Sequence, residues 1–285
     1  MKRHLKFIKR PPNKLFFLTG HSKIDWVMGL VLLSLLVGCM PSLAEDQAIT
    51  EHTITVYAAS SLTDAFSEIA MAFEAQNPET AVLLNFAGSS QLAAQLHEGM
   101  VGEVFASANP AQMAAVIDSG RVTPGSETVF VSNQLTIIVP VDNPAAINAF
   151  EDLANPNVDL ILAGEGVPVR SYTAKIIATM PPHFQDQFYR NLVSEEDNVR
   201  RVAAKIALGE ADAGIVYTTD ITPDIASKVQ QIQIPADQNF ATAYTIAPLN
   251  DAPHPELAAH FIDFVNNAEG QSILAKFGFN PPSEN

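Results

Sequence analysis

Two pairs of small hydroxyls, Ser60-Ser61 and Ser89-Ser90, stand at matching places in the chain: each follows a strand-like run and opens a helix-like one. The first junction reads Val56-Tyr57-Ala58-Ala59-Ser60-Ser61-Leu62-Thr63-Asp64, and the second reads Phe86-Ala87-Gly88-Ser89-Ser90-Gln91-Leu92. A helix N-terminus carries N–H groups without intrahelical acceptors and a partial positive charge, so it can hold an anion. Serine hydroxyls at the same spot add further donors. The structural alternative is capping, because Ser61 and Asp64 have the spacing of a capping box and serine favours N-caps.

Three further junctions have polar character. Val167-Pro168-Val169-Arg170-Ser171-Tyr172 begins with a proline suited to the first turn of a helix. Glu195-Glu196-Asp197-Asn198-Val199-Arg200-Arg201 is a polar lead into a helix, with Asn198 a natural cap. Gly214-Ile215-Val216-Tyr217-Thr218-Thr219-Asp220 reads as a buried strand ending at a tyrosine. Each also has a plain structural role, as a cap or as a core ring.

Charge restricts what such junctions can bind. Seven of the sixteen basic residues fall within the first 23 positions, which leaves nine bases against thirty acids after Cys39, a net charge of −21. That field disfavours nucleic acid and anionic membrane surfaces. An anion site here must be local and built from dipoles. An enzyme reading lacks its parts, since the chain has no Gly-x-Ser-x-Gly elbow, and His52, His97, His183, His254 and His260 form no triad-like or metal-ligand spacing.

Residues 1–39 form an export leader: basic residues, an apolar run over 26–37, then Leu36-Val37-Gly38-Cys39. The last four resemble a lipobox, which implies lipidation of Cys39, the single cysteine. Ser42-Leu43-Ala44 offers the alternative of ordinary signal cleavage after Ala44. Either route exports a chain that contains no disulfide. In the remainder, strand-like runs fall at 53–58, 81–86, 103–106, 128–131, 135–139, 159–163, 213–217, 229–234 and 243–246, with helical patterns between most of them. This alternation predicts parallel α/β sheets with ligands at the carboxyl ends of strands.

Taken in order, VYAASSLTDAF, NFAGSSQLAAQL, NQLTIIVP, the Val167–Tyr172 element, DNVR, GEADAGIVYTTD and the terminal FGF resemble the molybdate-binding proteins of bacterial ABC transporters, from about Thr53 to Phe279. The resemblance implies a type II periplasmic-binding-protein fold, with two α/β lobes, a two-strand hinge and a ligand cleft between them. Residues 53–131 plus 243–285 would form one lobe and 132–242 the other. It implies a tetrahedral oxyanion held by the hydroxyls of Ser61, Ser89 and Tyr217 and by amides including those of Ser61, Ser89, Val169 and Val199. No metal-ion ligand, cofactor or catalytic residue is implied. Ser61 would then both cap its helix and donate to the anion, while Ser60 would be structural.

Two positions depart from the family pattern. Arg170 replaces a glycine near the cleft, and it either faces solvent or adds a charged donor. Glu103 replaces an aspartate and carries no functional meaning. The expected function is capture of molybdate, and tungstate with it, for delivery to an ABC permease by a monomer outside the cytoplasm, lipid-anchored if Cys39 is modified. The alternative ligand is sulfate, another dianion that needs only donors; a secreted hydrolase ranks below both.

Overall fold

The computed structural model describes residues 52–282, so the leader, with Cys39 and the site after Ala44, lies outside the described residues. The first part of the chain runs β1 (His52–Ala59), α1 (Thr63–Gln76), β2 (Thr80–Ala87), α2 (Ser89–His97), β3 (Val104–Ser107), α3 (Pro110–Asp118) and β4 (Thr128–Asn133). It continues with β5 (Leu135–Pro140), β6 (Leu160–Ala163), α4 (Pro168–Ala178), α5 (Pro182–Arg190), β7 (Leu192–Glu196), α6 (Val199–Ala207), β8 (Ala213–Tyr217) and β9 (Val229–Gln233). The last elements are β10 (Thr242–Pro248), α7 (Pro255–Asn266) and α8 (Ala268–Lys276).

These strands form two five-stranded sheets, ordered β2-β1-β3-β10-β4 and β7-β6-β8-β5-β9. With helices on their faces they make two α/β lobes. Both sheets are mixed rather than parallel. β1 runs parallel to β2 and β3, but β10 is antiparallel to β3 and β4. In the second sheet β5 is antiparallel to both neighbours, β8 and β9. The reversed strands are the ones adjoining the crossings. Only Gln134 separates β4 from β5, so the chain passes straight from one sheet into the other without a helical crossover. It returns between Gln233 and Thr242, and Thr242 pairs with Asn133 in the β10–β4 ladder. The two crossings therefore lie side by side.

The helical stripe in α1 buries Ala65, Phe66, Ile69, Ala70 and Phe73 against the first sheet. Phe261 of α7 meets Phe66 and Phe73 edge-on, with ring centroids at 6.2 and 5.3 Å, so the C-terminal helices seal this lobe. In the second lobe α6 buries Val199, Val202, Ala203 and Ile206. Asn198 caps it, accepting from the Arg201 amide at 3.1 Å.

One strand escapes the sequence pattern. β7, Leu-Val-Ser-Glu-Glu, sits at an edge and pairs with β6 alone. Its residues are mostly half-buried or exposed, so no apolar alternation marks it.

Gly214 of β8 explains how close α6 lies to the sheet. A Cβ there would stand 2.8 Å from Val202 Cγ1 and 3.1 Å from the Ile161 carbonyl oxygen. Overpacking of this kind costs about 1–3 kcal/mol. Gly214→Ala should lower the urea midpoint accordingly, and an unchanged midpoint would show that the helix can back away freely.

Candidate functional site

Four helix starts converge on one small cavity between the lobes. The first lobe contributes Ser60, Ser61, Gly88 and Ser89, and the second contributes Pro168, Val169, Val199 and Tyr217. All five residues singled out from the sequence, Ser61, Ser89, Val169, Val199 and Tyr217, are thus brought together. Ser89 and Val199 are the first residues of α2 and α6, and Val169 is the second of α4. Their amides have no intrahelical acceptor by position. No carboxylate, lysine or arginine lines the space.

The hydroxyls differ in what the protein leaves free. Ser89 Oγ accepts from the Ala108 amide at 3.0 Å, and a backbone N–H can only donate, so the Ser89 proton stays available. Ser61 Oγ lies 2.9 Å from the Tyr244 hydroxyl. Tyr217 is 1% exposed, and its hydroxyl has no hydrogen-bond partner in the protein. Burial holds its acidity far below that of an ordinary phenol, so it remains a neutral donor. A buried hydroxyl left without a partner costs about 1–3 kcal/mol, which an acceptor in the cavity would offset.

The capping expectation for Ser61 is not met. A short 3₁₀ turn, Ser60–Leu62, precedes α1, whose N-cap is Leu62, and no side chain caps either element. The chain enters α1 already coiled, so Ser61 is free to face the cavity while Asp64 turns outward to Arg200. Ser60 also lines the cavity, and its carbonyl accepts from Thr63 Oγ1 at 2.6 Å. Arg170 takes neither expected course. It is 9% exposed, its guanidinium lies 5.5 Å over the Tyr189 ring and pairs with Glu195 at 3.3 Å, and it does not line the cavity. Glu103 is buried and accepts the Thr55 amide, fastening β1.

Contacts around the cavity join the lobes. Arg200 of α6 reaches Asp64 of α1 at 2.8 Å and the Ser61 carbonyl at 3.4 Å, and its Nε faces the buried Asp220 at 3.0 Å. Gln112 donates to the Gly166 carbonyl at 2.9 Å. Gly88 rests on the Asp197 backbone: a Cβ at Gly88 would fall 2.5 Å from the Asp197 carbonyl oxygen. Sequence reasoning missed Gly88, Arg200 and Tyr244 as neighbours of the site. The first two lie inside motifs already singled out, whereas Tyr244 carries no local signal at all. Among the described residues no cluster of three or more His, Cys, Asp or Glu is disposed to hold a metal ion, and no helix is long and apolar enough to cross a membrane.

Two lobes gripping a donor-lined cavity define a binding protein of the periplasmic type. The chain belongs to the bacterial extracellular solute-binding protein family, whose model matches residues 54–280. It is 38% identical over 231 residues to the molybdate-binding protein ModA of Mycobacterium tuberculosis H37Rv, covering 81% of this chain and 85% of that one. The periplasmic molybdate-binding protein of Azotobacter vinelandii has the same fold, with a TM-score of 0.70, 19% identity, and coverage of 81% of this chain and 100% of its own. The sulfate-binding protein SubI of M. tuberculosis H37Rv gives 0.73 at 20% identity, covering 81% and 87%.

Two outcomes follow. Gly88→Ala should keep the circular dichroism of the wild type yet hold the lobes apart, weakening any ligand gripped between them by about tenfold or more, near 1.4 kcal/mol. Undiminished affinity would mean that the Gly88–Asp197 contact does not limit closure. The second concerns Asp220, whose carboxyl burial pushes from 3.8 up to about 6 against the pull of Arg200. A carboxyl raised on folding contributes stability below its unfolded value and loses it as pH rises through the folded one. Relative to Asp220→Asn, the wild type should therefore lose stability between about pH 4 and about pH 6, in denaturant titrations across that range. A difference that stays flat would contradict the shift.

Proposed function

We propose that the protein captures a fully deprotonated tetrahedral dianion, molybdate and with it tungstate, and delivers it to an ABC permease outside the cytoplasm. The observation that carries this reading is the donor-only character of the cavity. Ser89 has its acceptor side taken by Ala108, Tyr217 has an orphaned buried hydroxyl, and no carboxylate lines the space. A ligand that only accepts hydrogen bonds matches that inventory, and neutral donors avoid burying an unpaired cation. The M. tuberculosis relative, named as molybdate-binding at 38% identity, supports the choice of anion.

In this reading the hydroxyls of Ser61, Ser89 and Tyr217 and the amides of Ser61, Ser89, Val169 and Val199 hold the oxygens. The protein binds and releases without catalysis or cofactor, as a monomer. Cys39 would carry a lipid anchor, or cleavage after Ala44 would free the chain. Sulfate is the second reading, because it too needs only donors; being smaller, it leaves some of them too far away. Hydrogenphosphate brings a proton for which the cavity has no carboxylate acceptor.

A thermal-shift panel with molybdate, tungstate, sulfate and phosphate tests the assignment. Molybdate and tungstate should stabilise strongly, by about 2.7 kcal/mol at a hundredfold excess over Kd, and the others little. Tyr217→Phe should keep the fold and lose most of the shift. Equal shifts with sulfate and molybdate, or a full shift in Tyr217→Phe, would overturn it.

A further inference from the structure

Ser61 can serve as a donor to the ligand only if something else occupies its acceptor side, and the structure shows what does. Asn133, the last residue of β4, accepts the Gln134 amide on Oδ1 at 2.9 Å. Because a backbone N–H must donate, this bond fixes which side-chain atom of Asn133 is oxygen and which is nitrogen. The nitrogen, Nδ2, then donates to Thr219 Oγ1 at 2.8 Å and to the Tyr244 hydroxyl oxygen at 3.3 Å. Tyr244 is fully buried, and its hydroxyl has two hydrogen-bond partners, Asn133 Nδ2 and Ser61 Oγ; the Tyr217 hydroxyl lies nearby but makes no hydrogen bond. Nδ2 cannot accept a proton. The phenolic proton therefore goes to Ser61 Oγ, across 2.9 Å. Burial keeps Tyr244 protonated far above neutral pH, so this donor is never lost to titration.

We propose that Tyr244 is a positioning residue that sets the polarity of the Ser61 hydroxyl, directing its proton into the cavity through the chain Asn133 to Tyr244 to Ser61. The inference rests on the oxyanion reading of the cavity. It also gives the two serines one logic by two routes. Ser89 is fixed as a donor by the Ala108 amide within the first lobe. Ser61 is fixed by a relay whose root, Asn133, sits at the crossing between the sheets and is held there by second-lobe hydroxyls, Thr218 at 3.0 Å and Thr219 at 2.8 Å. Closure of the lobes and orientation of the Ser61 proton are thereby linked.

The test is a pair of double-mutant cycles on the full chain, read by calorimetry with molybdate. Tyr244→Phe removes one hydroxyl and leaves a ring still packed on Phe130, Tyr217 and Phe279, so it should fold, as circular dichroism and thermal melting will check. It should weaken binding about tenfold. Tyr244→Phe combined with Ser61→Ala should bind no worse than Ser61→Ala alone, because Tyr244 acts through Ser61. Combined with Ser89→Ala, the two losses should instead multiply. A general loosening of the site would treat both serines alike, so equal behaviour in the two cycles overturns the proposal, as does wild-type affinity in Tyr244→Phe. If the wild type binds no molybdate but does bind sulfate, the cycles run with sulfate and the proposal stands or falls separately. If it binds neither, the oxyanion reading itself fails.

Discussion

An anion buried without a counter-cation must be surrounded by donors, and a hydroxyl is a donor only by circumstance, since it can equally accept. The protein removes that freedom. Ala108 occupies the acceptor side of Ser89, and the Tyr244 hydroxyl lies 2.9 Å from Ser61 Oγ, placed to do the same there. Amides at the starts of α2, α4 and α6 need no such control, because a backbone N–H has one polarity. The positions of the strands follow from this demand. Each helix start must arrive at one point with its first turn exposed to it, which two sheets facing each other across a cleft achieve.

The nearby positive charge is kept subordinate. Arg200 lies behind Ser61 and does not line the cavity, and Asp64 and Asp220 share its guanidinium. Its charge serves to bind α6 of one lobe to α1 of the other. Arg170 is similarly withdrawn, against Tyr189 and Glu195. Both arginines belong to the scaffold that brings the donors together, and the cavity itself carries no fixed charge.

Much of this was legible in the sequence because it depends on local rules. Strand-to-helix junctions declare themselves by small and polar residues after an apolar run, so the five junctions could be read locally, while the choice of Ser61, Ser89, Val169, Val199 and Tyr217 within them came from the family resemblance. Asn198 was readable as a cap for the same reason. What stayed hidden depends on partners distant in sequence. The capping role of Ser61 was misread, since a 3₁₀ turn, Ser60–Leu62, precedes α1 and takes the chain into it without a side-chain cap. β7 was missed because an edge strand needs no apolar alternation. The antiparallel strands were missed because sheet order is decided at the crossings, where Asn133 and Thr242 meet. Tyr244, 183 residues from Ser61, looks in sequence like any tyrosine of a buried strand.

The contact between Gly88 and the Asp197 carbonyl has a metrological consequence. Where two lobes meet side chain to side chain, rotamers can adjust and the gap between them is elastic. At Gly88 they meet main chain to main chain, and peptide groups have no rotamers to yield. A closing stroke would end there against a hard stop, which would make the span of the cavity a fixed gauge length held by the two sheets. For the anion proposed here, one too wide would prop the jaws open, and one too narrow would leave them shut with its oxygens out of reach. Size would then be judged by the scaffold as a caliper judges it, independently of the chemistry of the groups that touch the ion.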